Sequence, residues 1–181
     1  MATITKSNLT LTDYSRFALD NLGFSSWQYL QIEKTDNQIL TWMDYHGGID
    51  WIIKNQQNEM YLAASRMRFV NEKKPKVYQD FTIRCSKYTG VNSELEKRLS
   101  SINNGSMYPN FQFCAWFSSS FNTLNNTTSS LFLCGAVART KDVYSFVKQQ
   151  PHLVKSAYSD RDFLCVNWQD MRSAGYPVLI K

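Results

Sequence analysis

Apolar positions recur at helical spacing between Thr10 and Gly23, where Tyr14, Phe17, Ala18 and Leu22 form one stripe. Thr10 or Thr12 can cap this stretch and Gly23 can end it. Trp27 to Trp42 has no clear period, and a second helix is expected around Ile39 to Met43. After Gly47-Gly48 the period changes. Ile49 to Lys54 is a short apolar run with an acid inside it, Asn55 to Glu59 is polar and turn-like, and Met60 to Phe69 is a second extended run. Two such runs split by about five polar residues predict a hairpin. A basic loop, Asn71 to Lys76, leads to a third strand, Phe81 to Tyr88. Ser93 with Glu96 three residues on makes a capping box, which opens a helix that runs to Ile102 and stops before Asn103-Asn104-Gly105. Phe111 to Phe117 is a fourth strand.

The order is therefore helix, strand, strand, strand, helix, strand. A polar Ser/Asn/Thr loop follows (Ser118 to Ser130), then a strand (Leu131 to Ala138) and a helix (Thr140 to Gln149), with short strands at Phe163 to Val166 and Val178 to Ile180. There is no internal repeat. A length of 181 residues suits one domain, with a core over 10–118 and a C-terminal strand-helix extension over 131–181.

Composition adds limits more than direction. Hydrophobic residues make up 43% of the chain, against only 7 glycines and 4 prolines, so a packed core is expected and long disordered linkers are not. Twenty basic against fifteen acidic residues leave a net charge of +5, which permits nucleic-acid binding without demanding it. Cys85, Cys114, Cys134 and Cys165 are isolated in apolar stretches, with no CxxC and only two histidines, so buried thiols are expected in place of zinc. The polar N-terminus lacks a signal core, and no run of about 18 apolar residues exists to span a membrane. A soluble cytoplasmic chain is expected, and the Asn-x-Ser/Thr matches at Asn125 and Asn126 then carry no meaning. Neither a P-loop nor GxGxxG is present, and no nucleophile comes with an evident base. His46, just before the glycine pair, is either an exposed loop histidine or a base.

The chemistry concentrates in the hairpin and the helix after it. In Gly47-Gly48-Ile49-Asp50-Trp51-Ile52-Ile53 an acid opens an apolar strand. A carboxylate there is costly unless a metal, an arginine or a turn takes it up. On the next strand, alternation puts Ala64, Arg66 and Arg68 on one face and Ala63, Ser65, Met67 and Phe69 on the other. Two arginines on a buried face need anionic partners, either a ligand's phosphates or Asp50 and Glu96 within the protein. Glu33, Asp44, Glu94 and Glu96 are further carboxylates within reach of a shared site, each with a solvated alternative and Glu96 with a capping one. Lys73, Lys74 and Lys76 form either a grip on a nucleic-acid backbone or a solubilising hairpin tip.

The succession Gly48-Ile49-Asp50, Ala64-Ser65-Arg66-Met67-Arg68, Phe81-Thr82-Ile83-Arg84 and Ser93-Glu94-Leu95-Glu96-Lys97-Arg98 resembles small PD-(D/E)xK nuclease-like proteins of phage, plasmids and bacterial genomes, over residues 44 to 118. The resemblance implies a restriction-endonuclease-like αβββαβ core with a mixed central sheet flanked by helices. It implies a Mg²⁺-dependent nuclease hydrolysing DNA phosphodiesters, or a catalytically degenerate relative, with a homodimer as one arrangement for cutting two strands. Carried over by position, it makes Asp50, Arg66 and Glu96 the catalytic set and Asp50 with Glu96 the metal ligands. Arg68, Arg84, Lys73, Lys74 and Lys76 become nucleic-acid contacts. Ala64 stands where the family has its strand acid, and Arg66 where it has its lysine. An arginine keeps its proton, so it serves as a phosphate clamp and not as a base. The alternatives are a non-catalytic nucleic-acid-binding protein stitched by internal salt bridges, and a protein-interaction module of a mobile element with an aromatic surface (Trp116, Phe117, Phe121).

Overall fold

The apolar stripe of the first helix packs as its spacing predicts. α1 (Leu11–Leu19) runs into a π-helical turn (Asp20–Phe24), and Tyr14, Ala18, Leu19 and Leu22 are all buried. A computed structural model describes residues 11–32, 37–70, 76–85, 93–118, 132–156 and 163–181. The predicted cap at Thr10, the acid Glu33, the lysines Lys73 and Lys74, the end of the predicted third strand and most of the Ser/Asn/Thr loop lie outside these residues.

The chain is a mixed α/β protein. β1 (Gln28–Gln31), β2 (Trp51–Lys54) and β3 (Met60–Phe69) form an antiparallel meander, with α2 (Gln38–Gly47) between β1 and β2. β3 lies parallel to β5 (Phe111–Phe117), which pairs antiparallel with β6 (Phe132–Arg139). β9 (Val178–Ile180) closes the far edge, giving the order β1-β2-β3-β5-β6-β9. Parallel neighbours need a long crossover. Here it contains β4 (Asp80–Arg84) and α3 (Glu94–Asn104). β4 does not join the central sheet. It pairs with β8 (Phe163–Asn167), which also carries β7 (Lys155–Ser156), in a separate three-stranded sheet.

The predicted hairpin is the β2-β3 pair, and the predicted capping box is in place, with Ser93 and Glu96 exchanging hydrogen bonds at the start of α3. α4 (Thr140–Gln149) has the bounds its pattern predicts, and α5 (Trp168–Ser173) adds one short helix. Two expectations change. The third strand of the sequence order leaves the central sheet, and β1, unrecognised in the sequence, takes its place in the meander. The segment expected as an extension also supplies two strands of the main sheet.

Both faces of the sheet are covered. On one, Trp51, Ile53, Ala63, Phe113, Ala115 and Phe117 pack under α1. On the other, Cys114, Trp116, Ala136 and Ala138 pack with Phe81 and Ile83 of β4, Val143, Tyr144 and Phe146 of α4, and Trp168 and Met171 of α5. β5 is buried on both sides, which is why its central residues read as an unbroken apolar run.

The small sheet is tied to the large one by Arg68 and Asp80. The Arg68 guanidinium lies 2.8 Å from the Asp80 carboxylate and 5.4 Å from the centre of the Trp116 ring. Their side chains are only 17% and 10% exposed, so water does little for either charge alone. The Trp116 indole N–H donates to the Tyr78 carbonyl at 2.7 Å, next to the same junction. Removing one partner of such a pair strands the other. Asp80→Ala is expected to cost about 3–5 kcal/mol in urea unfolding, and the double variant Arg68→Met/Asp80→Ala to recover much of the loss. A double variant as unstable as the single one would show that the ion pair does not hold the junction.

Candidate functional site

Asp50 owes its position to the unequal lengths of β2 and β3. β2 begins at Trp51, opposite Ala63, so on its β2 side β3 runs on unpaired at Ser65, while β5 lies along its other side. The Asp50 carboxylate fills that gap. One oxygen accepts from the Ser65 amide at 2.5 Å and from the Ser65 hydroxyl at 3.1 Å. The same hydroxyl accepts from the Trp51 indole at 3.2 Å. The acid is thus tied to Ser65 at the end of a strand, where it borders a cavity.

That cavity measures about 430 Å³ and lies between the β3-β5 floor, α3 and the end of α2. Ala64, Gln112 and Cys114 contribute to its floor, and Asp50, Arg66, Arg84, Glu94, Lys97 and Arg98 supply its charge. Four cations face two carboxylates, so the lining has a surplus of two positive charges.

Arg66 points from β3 into the cavity with its side chain 40% exposed. It lies 3.6 Å from Glu94 and 5.7 Å from the centre of the Phe163 ring. Arg84 covers the same ring at 5.3 Å, and its backbone N–H donates to the Glu94 carboxylate at 3.2 Å. Glu94 is the first residue of α3, where the exposed amides and the helix dipole favour an anion. Lys97, three residues on, sits over the Tyr45 ring of α2 at 5.3 Å.

Arg98 is the deep cation, 6% exposed, and it donates to the Gly48 carbonyl at 2.7 Å. Gly48 ends α2 in the left-handed conformation at φ 53°. A Cβ there would run into the Arg98 guanidinium, so both backbone and neighbour require glycine.

The residues predicted for the site separate into groups. Asp50, Arg66 and Arg84 share the cavity. Glu96 does not line it. Its carboxylate accepts from the Ser93 amide at 3.0 Å and hydroxyl at 3.2 Å, as its capping role dictates, and Glu94 borders the cavity instead. Arg68 is engaged with Asp80 and Trp116, away from the lining. Lys76 lies over the Tyr78 ring at 4.7 Å, also outside it. Asp44 is not part of the lining either, and burial raises its carboxyl pKa. Lys97, Arg98 and Phe163 were not singled out by the sequence. Glu94, Lys97 and Arg98 stand at helical spacing i, i+3 and i+4, so a single face of α3 carries all three, and that spacing was available to be read. Phe163 is remote in sequence and gives no such signal.

Chemically, the arrangement can bind a polyanion through its cations and offer two oxygen ligands to a hard metal ion. No group of three or more His, Cys, Asp or Glu side chains among the described residues is placed to hold a metal. No helix among them is long and apolar enough to cross a membrane. None of the four cysteines is in a disulfide. No family model, curated protein or solved structure matches the chain.

Two outcomes test this geometry. Gly105 ends α3 at φ 67° with open space where a Cβ would go. Gly105→Ala should therefore cost about 1–2 kcal/mol for the left-handed backbone alone. Gly48→Ala carries the same backbone cost and also displaces Arg98, so its loss in urea unfolding should be clearly larger; equal losses would remove Arg98 from this account. Burial pushes the Cys114 thiol up to about 11 against the pull of Arg68, and the residue is 1% exposed. Iodoacetamide at neutral pH should leave Cys114 unlabelled in the native chain and reach all four cysteines in urea. Mass mapping that finds native Cys114 alkylated would mean that the floor of the cavity opens.

Proposed function

We propose that the chain is a metal-dependent nuclease of PD-(D/E)xK type that acts on DNA phosphodiesters, with the cavity over β3 as its active site. The observation that carries this reading is the meeting of Asp50, Arg66 and Glu94 on one charged cavity whose surplus is positive. The topology supports it. With α2 and β4 taken as insertions, α1, β1, β2, β3, α3 and β5 follow the αβββαβ order, and Asp50 opens the second strand of that core.

The donor set suits Mg²⁺, which keeps much of its water and is usually held by one or two carboxylates together with substrate phosphates. Asp50 and Glu94 would be its protein ligands, with Glu94 in the part first assigned to Glu96. When bound, such an ion neutralises charge building on the phosphoryl oxygens and makes its bound water more acidic. The chain's own residues do the rest. Arg66 grips the scissile phosphate through paired N–H donors. Arg84 and Lys97 contact neighbouring phosphates. Arg98 holds the α2-β2 junction from which Asp50 projects. Ala64 offers no ligand, and Arg66 keeps its proton, so neither takes a proton from the attacking water.

A non-catalytic nucleic-acid-binding protein is the second reading, favoured by the internal contact of Arg66 with Glu94. At 3.6 Å, with side chains 40% and 30% exposed, that pair is weak enough for a phosphate to replace it.

Nicking of supercoiled plasmid in Mg²⁺ or Mn²⁺ separates the two. Asp50→Asn should abolish nicking while DNA binding, followed by anisotropy, persists. Arg66→Gln should weaken binding and lower the slope of log K against log salt by about one. Salt-dependent binding with no nicking in either metal would leave the non-catalytic reading, and absence of DNA binding would remove both.

A further inference from the structure

We propose that the exposed aromatic face of α2 is a stacking platform for unpaired bases, so that the ligand of the adjoining cavity is a single-stranded or locally opened stretch of DNA. This deepens the proposed function and rests on the cavity binding a DNA phosphate.

Ile39, Trp42 and Tyr45 stand at spacings of three along α2 and share one face of it. They are 71%, 54% and 65% exposed, among the most exposed large hydrophobic side chains of the described residues. Tyr45 also borders the cavity, with the Lys97 ammonium 5.3 Å from its ring centre. The platform therefore begins where the phosphate-binding cations end. A helix rises about 1.5 Å per residue, so Trp42 lies about 4.5 Å further out than Tyr45. A strand with one phosphate in the cavity could lay its next bases on Tyr45 and then on Trp42.

Charge and shape select the occupant. The foot of the platform carries four cations against two carboxylates, which suits a polyanion better than an ordinary protein surface. α2 itself carries no lysine or arginine, so its outer face offers stacking and not backbone contact. The faces of paired bases inside a duplex are already stacked, whereas unpaired bases are free to stack on aromatic rings.

Fluorescence anisotropy on the full chain tests this with a short oligothymidylate and a blunt duplex of equal length at one salt concentration. The oligothymidylate should bind more tightly than the duplex. Trp42→Ala should raise its Kd about tenfold, Trp42→Phe should restore most of the affinity, and the duplex Kd should move less than about twofold. Tyr45→Ala should weaken oligothymidylate binding in the same way. If Arg66→Gln lowers both affinities while Trp42→Ala and Tyr45→Ala lower neither, the platform is overturned and the phosphate cavity stands. If no variant, Arg66→Gln included, changes any binding, the cavity reading fails with it. If sedimentation shows the native chain as a dimer that Trp42→Ala dissociates, with oligothymidylate binding unchanged, the face joins two copies and the platform is overturned.

Discussion

One hydrogen bond from a buried arginine sets the geometry on which the cavity depends. Arg98 of α3 donates to the carbonyl of Gly48, the residue that ends α2. Two residues after Gly48 comes Asp50, and four residues before Arg98, on the same helical face, comes Glu94. Fixing Arg98 to Gly48 therefore brings two acids, far apart in the chain, to the edge of one cavity. Burying a guanidinium is expensive, and a carbonyl meets only part of its demand for acceptors. Such a residue is justified less by its contribution to stability than by the position it enforces. The glycine follows from the same contact, because any side chain at that left-handed position would collide with the guanidinium.

The two arginines of β3 show how one alternating pattern yields two roles. Arg66 and Arg68 share a face, as their spacing requires, and both lie near acids. Arg68 meets Asp80 at 2.8 Å in a nearly dry junction and is closed off by Trp116. Arg66 meets Glu94 at 3.6 Å in an open one. The first is an internal salt bridge of the kind weighed for both arginines, but its acid is Asp80 and not the expected Asp50 or Glu96. The difference comes from β4, which carries Asp80 over the end of β3 because it belongs to the second sheet and pairs with β8. Neither that sheet nor its partner strand leaves a local mark around Arg66 or Arg68.

Much of the framework was legible where one rule acted alone. The β2-β3 hairpin followed from two extended runs and a polar turn, and the start of α3 from its capping box. α4 and β9 kept their predicted bounds. Failures came where two rules competed. β1 is a four-residue edge strand, Gln-Tyr-Leu-Gln, with its side chains half exposed, so it lacks the apolar signature of a core strand. Phe81 to Arg84 read correctly as extended, but nothing local says which sheet an extended segment joins. Glu94 and Glu96 both sit in the first turn of α3. The capping box already commits Glu96 to Ser93, and that commitment leaves Glu94 to face the cavity. The motif that located the helix also identified which acid was unavailable.

The substitutions at the heart of the resemblance now have a physical consequence. Ala64 gives β3 no carboxylate on the cavity floor, and of the two carboxylates that line the cavity, Asp50 and Glu94, the second comes from the N-terminus of α3. There the Arg84 backbone N–H donates to it at 3.2 Å and the Arg66 guanidinium lies 3.6 Å away. Arg66 cannot supply the base that a lysine would, yet it brings to the cavity a planar fork suited to phosphate. Under the proposed function, the Arg66–Glu94 contact would serve as an exchangeable pair, in which a phosphate at Arg66 replaces Glu94 and leaves that carboxylate available as a metal ligand. Exposed pairs are worth only about 0–1 kcal/mol, so the exchange costs little. On that proposal the two residues would hold each other in the empty cavity and divide the binding of phosphate and metal in the filled one.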